Sequence, residues 1–224
     1  SILFSITGLT VFSNAGFMGI PLILNTLGTE ALFYMLAFFA AQLVCIWTIG
    51  IFMLTRDRKM ISLKQLVQTP SIVAILIGLS LYFFQIPLPS YALNIINTIR
   101  PTYTPLAMFV LGTLLAEIPF KAMFGDREVY FAIAQRLMII PFLISVLFIF
   151  IPGVSELQLL TKMAIVIVSS APSGVNTAIL SHMFDLKTDQ AVKAVTLSTL
   201  LSVVTIPIIV FIFEYMLHIF TSGL

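Results

Sequence analysis

Between Leu157 and Phe184 the sequence is apolar enough to cross a bilayer, and in its middle stands Ser169-Ser170-Ala171-Pro172-Ser173-Gly174-Val175-Asn176-Thr177. Hydrocarbon offers a backbone N–H or C=O no partner. A crossing chain must therefore stay helical, or bury its freed groups in protein or against a wet cavity. Pro172 removes a donor and disfavours helical geometry at Ala171. One half-helix is expected to end near Ser170 and another to begin near Ser173 or Asn176, both good N-cap residue types. Such a break exposes carbonyls at one end and N–H groups at the other, with partial charges of opposite sign.

The rest of the chain explains why the break is tolerable. It is 60% hydrophobic and 9% charged, with a mean hydropathy of +1.13, whereas soluble domains are about 25% charged. The pattern is that of an all-α integral membrane protein, and the lipid bilayer is its first partner. Apolar runs near the ~20 residues that cross a ~30 Å hydrocarbon layer recur along it, at about 2–27, 30–54, 70–86, 98–116, 128–151, 157–184 and 190–217. Lys and Arg orient these seven spans. Arg56, Arg58, Lys59 and Lys64 follow the second span, Lys121 and Arg127 the fourth, and Lys187 and Lys193 the sixth. The alternate connections contribute only Arg100 and Lys162. This predicts a plasma-membrane protein with the first residues of this sequence cytoplasmic and its C-terminus outside. A seven-helix receptor or rhodopsin has the opposite orientation, and a retinal protein needs a lysine deep in its last span.

A second breaker cluster, Ser13-Asn14-Ala15-Gly16-Phe17-Met18-Gly19-Ile20-Pro21, lies in the first span. Each cluster is followed by a similar second half and then by a long unbroken span, and a shift of about 160 residues superposes the two pairs. Five crossings separate the broken spans, so they run in opposite directions. Interrupted helices at corresponding positions of two halves point to a midplane binding site in a transporter. The expected whole is a ten-helix, 5+5 inverted repeat with two broken, crossing helices, of which three helices, about 90 residues, precede Ser1. Residues 1–54 then close the first repeat, 55–69 form a cytoplasmic linker with a short amphipathic stretch, 70–217 form the second repeat, and 218–224 are a tail.

The polar residues near mid-membrane are the candidates for contact with substrate. Asn14 and Asn176 offer a donor and an acceptor each, suited to a carboxylate as well as to capping. Gly16, Gly19, Pro21 and Pro172 shape the breaks, while Ser170, Ser173 and Thr177 add hydroxyls. Gln42, in the middle of the second span, is placed to bond to the first break. Arg136 lies nine residues beyond Arg127, about 13 Å deeper along a helix, and a charge within a span is a functional residue by default. It serves either as an anion partner or as an electrostatic strut for exposed carbonyls. The nine acidic residues fall in connections or near span ends. His182, His218 and the single Cys45 make no metal site. There is no zinc-hydrolase motif, no phosphate-binding loop and no basic stripe for nucleic acid. An enzyme, a cofactor and a nucleic-acid partner are not expected.

These residues resemble the auxin efflux carrier family, which includes plant auxin exporters and bacterial permeases of malate and malonate. Asn14, Gly16, Gly19 and Pro21 match its Asn-x-Gly-x-x-Gly-x-Pro motif. Ala171, Pro172 and Asn176 match its second motif. "PTYTPLAMFVLGTLLAE", with Gly112, is similar to its seventh helix, and "QRLMIIPFL", with Arg136 and Pro141, to its eighth. The likeness runs the length of the chain. It implies crossed fourth and ninth helices, and a transport domain moving against a scaffold to which spans 70–86 and 98–116 belong. A homodimer through those scaffold helices fits this plan. The function implied is secondary transport of small organic anions such as dicarboxylates. A sodium-coupled carrier of a related ten-helix fold and a transporter-like membrane sensor are the alternatives.

Overall fold

An apolar run free of breakers forms one helix; Pro21 and Pro141 each follow a widened turn, while Pro207 sits inside one continuous helix. The computed structural model describes residues 10–55, 70–102, 105–106, 109, 112–113, 116, 123–151, 153, 155, 157–184 and 188–221. Its helices are α1 (Ala15–Thr26), α2 (Leu32–Met53), α3 (Pro70–Phe83), α4 (Ser90–Ile99), α5 (Arg127–Phe150), α6 (Leu159–Ser170), α7 (Val175–Met183) and α8 (Thr188–Thr221). Three of them, α2, α5 and α8, are long and apolar enough to cross a membrane. The protein is an all-α membrane protein, and the β structure among the described residues is an isolated bridge.

Pro21 and Pro141 lack an N–H and press on the carbonyl four residues back. In both places the preceding chain widens into a single π-helical turn, Ala15–Gly19 and Gln135–Ile139. It returns to α geometry at Ile20 and Ile140, one residue before the proline. Such turns concentrate at functional sites, and these two carry Gly16, Gly19 and Arg136. A third, Ile46–Gly50, lies within α2 without a proline behind it.

Helix α6 is the centre of the packing. It lies against α1, α2, α5 and α8, which is why eight of its twelve residues are buried. Val166 joins Phe148, Ile209 and Phe213 in one cluster, with the Phe148 and Phe213 rings 6.4 Å apart. On its other side Ala164, Ile167 and Val168 pack with Ala15, Ile23 and Met35. Close approach of α1 to α6 depends on Gly19, where a Cβ would stand 2.8 Å from Val168 Cγ2. In a membrane, where water drives no apolar association between helices, small residues that let backbones close up supply much of the adhesion. Helix α3 is peripheral: it touches α2, where the Phe33 and Tyr82 rings lie 5.7 Å apart.

Two boundaries differ from the sequence reading. The connection before residue 98 holds a helix of its own, α4, which starts after Pro89 (φ −58°, ψ 147°) and continues into a 3₁₀ turn at Arg100–Thr102. The last helix continues through Thr221, past the expected end of the span. The amphipathic stretch in 55–69, the basic residues Arg56, Arg58, Lys59, Lys64, Lys121 and Lys187, and most of the "PTYTPLAMFVLGTLLAE" segment lie outside the described residues.

The close contact at Gly19 makes a sharp prediction. Gly19→Ala, which cannot avoid a branched side chain at 2.8 Å, should cost about 1–3 kcal/mol and lower the thermal midpoint in detergent. Val168→Ala in the same chain should restore most of it. Gly78→Ala, with nothing within 4 Å, should leave the midpoint unchanged or slightly raised.

Candidate functional site

The second break is four residues long. Helix α6 stops at Ser170, Ala171 is extended (φ −61°, ψ 149°), and α7 begins at Val175 with Gly174 at its N-cap. Neither Ser173 nor Asn176 caps it, and Gly174 makes no side-chain cap bond. A residue with a Cβ would be crowded at the cap for a packing reason. A Cβ on Gly174 would lie 3.2 Å from the Ser13 carbonyl oxygen, because the first break passes there.

The two breaks satisfy one another. Ser13 and Ser173 form an antiparallel bridge. The Asn14 N–H donates to the Pro172 carbonyl at 2.7 Å, and the Gly174 N–H donates to the Phe12 carbonyl at 2.9 Å. Backbone groups that hydrocarbon would leave orphaned thus pair across the crossing, each bond sparing a desolvation penalty of about 1–3 kcal/mol. The antiparallel sense is what oppositely directed helices produce. The paired residues are also 160 positions apart, the shift that superposes the two halves of the sequence.

The residues flanking the bridge are held by the helices that follow each break. Gln42 of α2 accepts from the Ser13 N–H (3.2 Å) and hydroxyl (2.7 Å) through Oε1, and donates from Nε2 to the Ser13 carbonyl (2.7 Å). Ser173 donates its N–H to the Ser198 hydroxyl oxygen of α8 at 3.1 Å, and its own hydroxyl to the Thr10 carbonyl at 3.4 Å. The Ser170 hydroxyl turns back to Val166 in its own helix. Thr177 is buried, and its N–H reaches the Gly174 carbonyl. Pro172 is buried at the bridge, Gly16 is buried in the π turn, and Pro21 is half-buried one turn along α1. Asn176 is half-buried in the first turn of α7.

Two candidates stand apart because their polar atoms are not consumed. Asn14 is 2% exposed, and its side chain makes no cap bond to the π turn behind it. Its own carbonyl accepts from Met18 and Gly19 instead, and the amide Nδ2 has no partner among the described residues. Arg136 is also 2% exposed, so it does not snorkel to the interface. Its Nε and Nη2 have no partner among the described residues. Its π turn packs against α6 and α8. Ile133 and Leu137, its neighbours, share a core cluster with Val175 at the start of α7 and with Phe17 of the first break. The candidate site is therefore a protein-lined crossing that holds Asn14, with Arg136 on a helix whose Ile133 and Leu137 pack toward it; among the described residues Asn14 Nδ2 and Arg136 Nε and Nη2 lack partners.

Ser198 and Thr10 escaped the sequence reading. Ser198 belongs to a span with several serines and threonines, and only its register relative to Ser173 marks it. Among the described residues no group of three His, Cys, Asp or Glu side chains could hold a metal ion.

The clamp on Ser13 is open to measurement. Gln42→Leu removes three hydrogen bonds and leaves a buried N–H and C=O unpaired, at about 1–3 kcal/mol for each. Gln42→Glu keeps the acceptor and loses the donor. Thermal unfolding in detergent should rank wild type above Gln42→Glu and Gln42→Glu above Gln42→Leu.

Comparison with curated proteins and with solved structures gives no match. A family model described as "Membrane transport protein" matches residues 55–210, well over half of the chain, taking in α3 to α7 and most of α8. An all-α membrane architecture, two paired breaks and this match agree, and the chain belongs to that membrane transport protein family, the auxin efflux carriers.

Proposed function

We propose that this membrane transporter carries small organic anions, dicarboxylates such as malate among them, by alternating access around the crossing of its two breaks. The observation that carries this reading is Arg136, a guanidinium buried in the π turn before Pro141, two of whose nitrogens have no partner among the described residues. A buried charge without a counter-charge is costly, and a carboxylate that enters the site relieves that cost with charge-assisted hydrogen bonds. Helix ends alone do not choose between anion and cation, since each break supplies both signs. The guanidinium does choose. Asn14 adds a donor whose partner is also missing, and Asn176, on the first turn of α7, completes an amide pair from the two halves. Gly16, Gly19, Pro21 and Pro172 act through the shape of the breaks, and Ser170, Ser173, Thr177 and Gln42 through the frame that surrounds the cargo.

In this reading the protein lies in the plasma membrane with its basic connections on the cytoplasmic side. Helices α3 and α4 belong to a scaffold, through which two copies pair, and α1, α2 and α5 to α8 move against it. Loss of the unpaired charge is the direct test in proteoliposomes loaded with malate or a similar acid. Arg136→Gln should lower uptake at least tenfold, since a charged hydrogen bond contributes about 1.5–3 kcal/mol. Asn14→Ala with Asn176→Ala should abolish uptake while the protein inserts at wild-type level. Undiminished uptake in either variant refutes the site. A sensor would bind the acid and move none, and a sodium-coupled carrier would stop when potassium replaces sodium.

A further inference from the structure

We infer that Ser198 is the positioning residue of the second break, the counterpart on α8 of Gln42 on α2; its effect on transport rests on the carrier reading above. Both side chains grasp the central residue of the bridge. Gln42 holds Ser13 and Ser198 holds Ser173, each from the helix that follows its break. Gln42 lies 29 positions beyond Ser13 and Ser198 lies 25 beyond Ser173. Ser198 is fully buried. Its own proton is committed to the Val195 carbonyl at 3.0 Å, so its oxygen faces the Ser173 N–H purely as an acceptor.

The two clamps are unequal. Gln42 engages the N–H, the carbonyl and the hydroxyl of Ser13, whereas Ser198 engages only the N–H of Ser173. At Ser173 itself, among the described residues, the bond to Ser198 is the tie to the following helix. The bridge bonds to Asn14 and Phe12 do not involve Ser198, so its loss leaves the crossing assembled while the Pro172–Ser173 peptide keeps its carbonyl bond and loses the one at its N–H. Asn176 and Thr177 follow three and four residues on. Ser198 thus acts through the break, on the fit of the cargo.

Two measurements on Ser198→Ala test this, one independent of any cargo. Hydrogen exchange at the Ser173 amide should speed up by about tenfold, one hydrogen bond's worth, while exchange at Ser13 stays as in wild type. In proteoliposomes the KM for the transported acid should rise by about the same factor with Vmax within about twofold. Ser198→Thr, which keeps the acceptor, should return both readings to wild type. Ser202→Ala, which removes another fully buried hydroxyl on α8 that bonds only to its own helix, should move neither. Unchanged exchange at Ser173, an unchanged KM, or no recovery in Ser198→Thr overturns the assignment. Faster exchange at Ser173 in a protein whose uptake survives Arg136→Gln would instead uphold the clamp and refute the carrier site.

Discussion

A helix that stops within a membrane has orphaned backbone groups, and here those at Pro172 and Gly174 find their partners in the chain at Asn14 and Phe12. The pairing of Ser13 with Ser173 replaces water that the surroundings do not supply. Most other features of the structure can be traced to it. Gly174 is glycine because the Ser13 carbonyl passes close by. Gly19 is glycine because α1 must lie against α6 for the breaks to meet. Gln42 and Ser198 hold the two central residues from outside. Proline has two roles in this arrangement. Pro172 ends a helix and lends its carbonyl to the bridge, while Pro21 and Pro141 widen the turns that precede them.

The same geometry separates what the protein uses for its own stability from what it leaves available. The hydroxyls of Ser13, Ser170 and Ser173 and the amide of Gln42 are all engaged within the protein. The Asn14 Nδ2 and the Arg136 Nε and Nη2, in residues buried as deeply, have no partner among the described residues. Evolution rarely leaves a buried charge unsatisfied without a use for it. A crossing whose backbone is already paired can hold an unpaired side chain in place without collapsing onto it.

Much of this was legible in the sequence because membrane chemistry is strict. Long apolar runs, two clusters of helix breakers 160 residues apart and a lone deep arginine carry direct structural consequences, and the break at Ser170 falls where Pro172 demands it. The restart at Val175 was less legible, since Ser173 and Asn176 are better caps by residue type than Gly174. Tertiary crowding by the Ser13 carbonyl decided that position, and no local rule registers it. Ser198 was hidden for a related reason: one serine among several in a long apolar helix gains meaning only from the chain it faces. The helix Ser90–Ile99 was read as a connection because it is too short to span, although Pro89 and its apolar residues favour a helix there.

The two breaks meet at Ser13 and Ser173, and cysteine cross-linking in native membranes probes that contact. Ser13 and Ser173 face each other as a non-hydrogen-bonded antiparallel pair, for which Cα atoms stand about 4.5 Å apart, within disulfide reach. With Cys45 replaced by alanine, Ser13→Cys together with Ser173→Cys should form an intramolecular disulfide under mild oxidation. After proteolysis between residues 55 and 69, the two fragments should stay joined until reductant is added. Fragments that separate without reductant, while both cysteines remain reactive to a thiol probe, would show that the breaks do not meet.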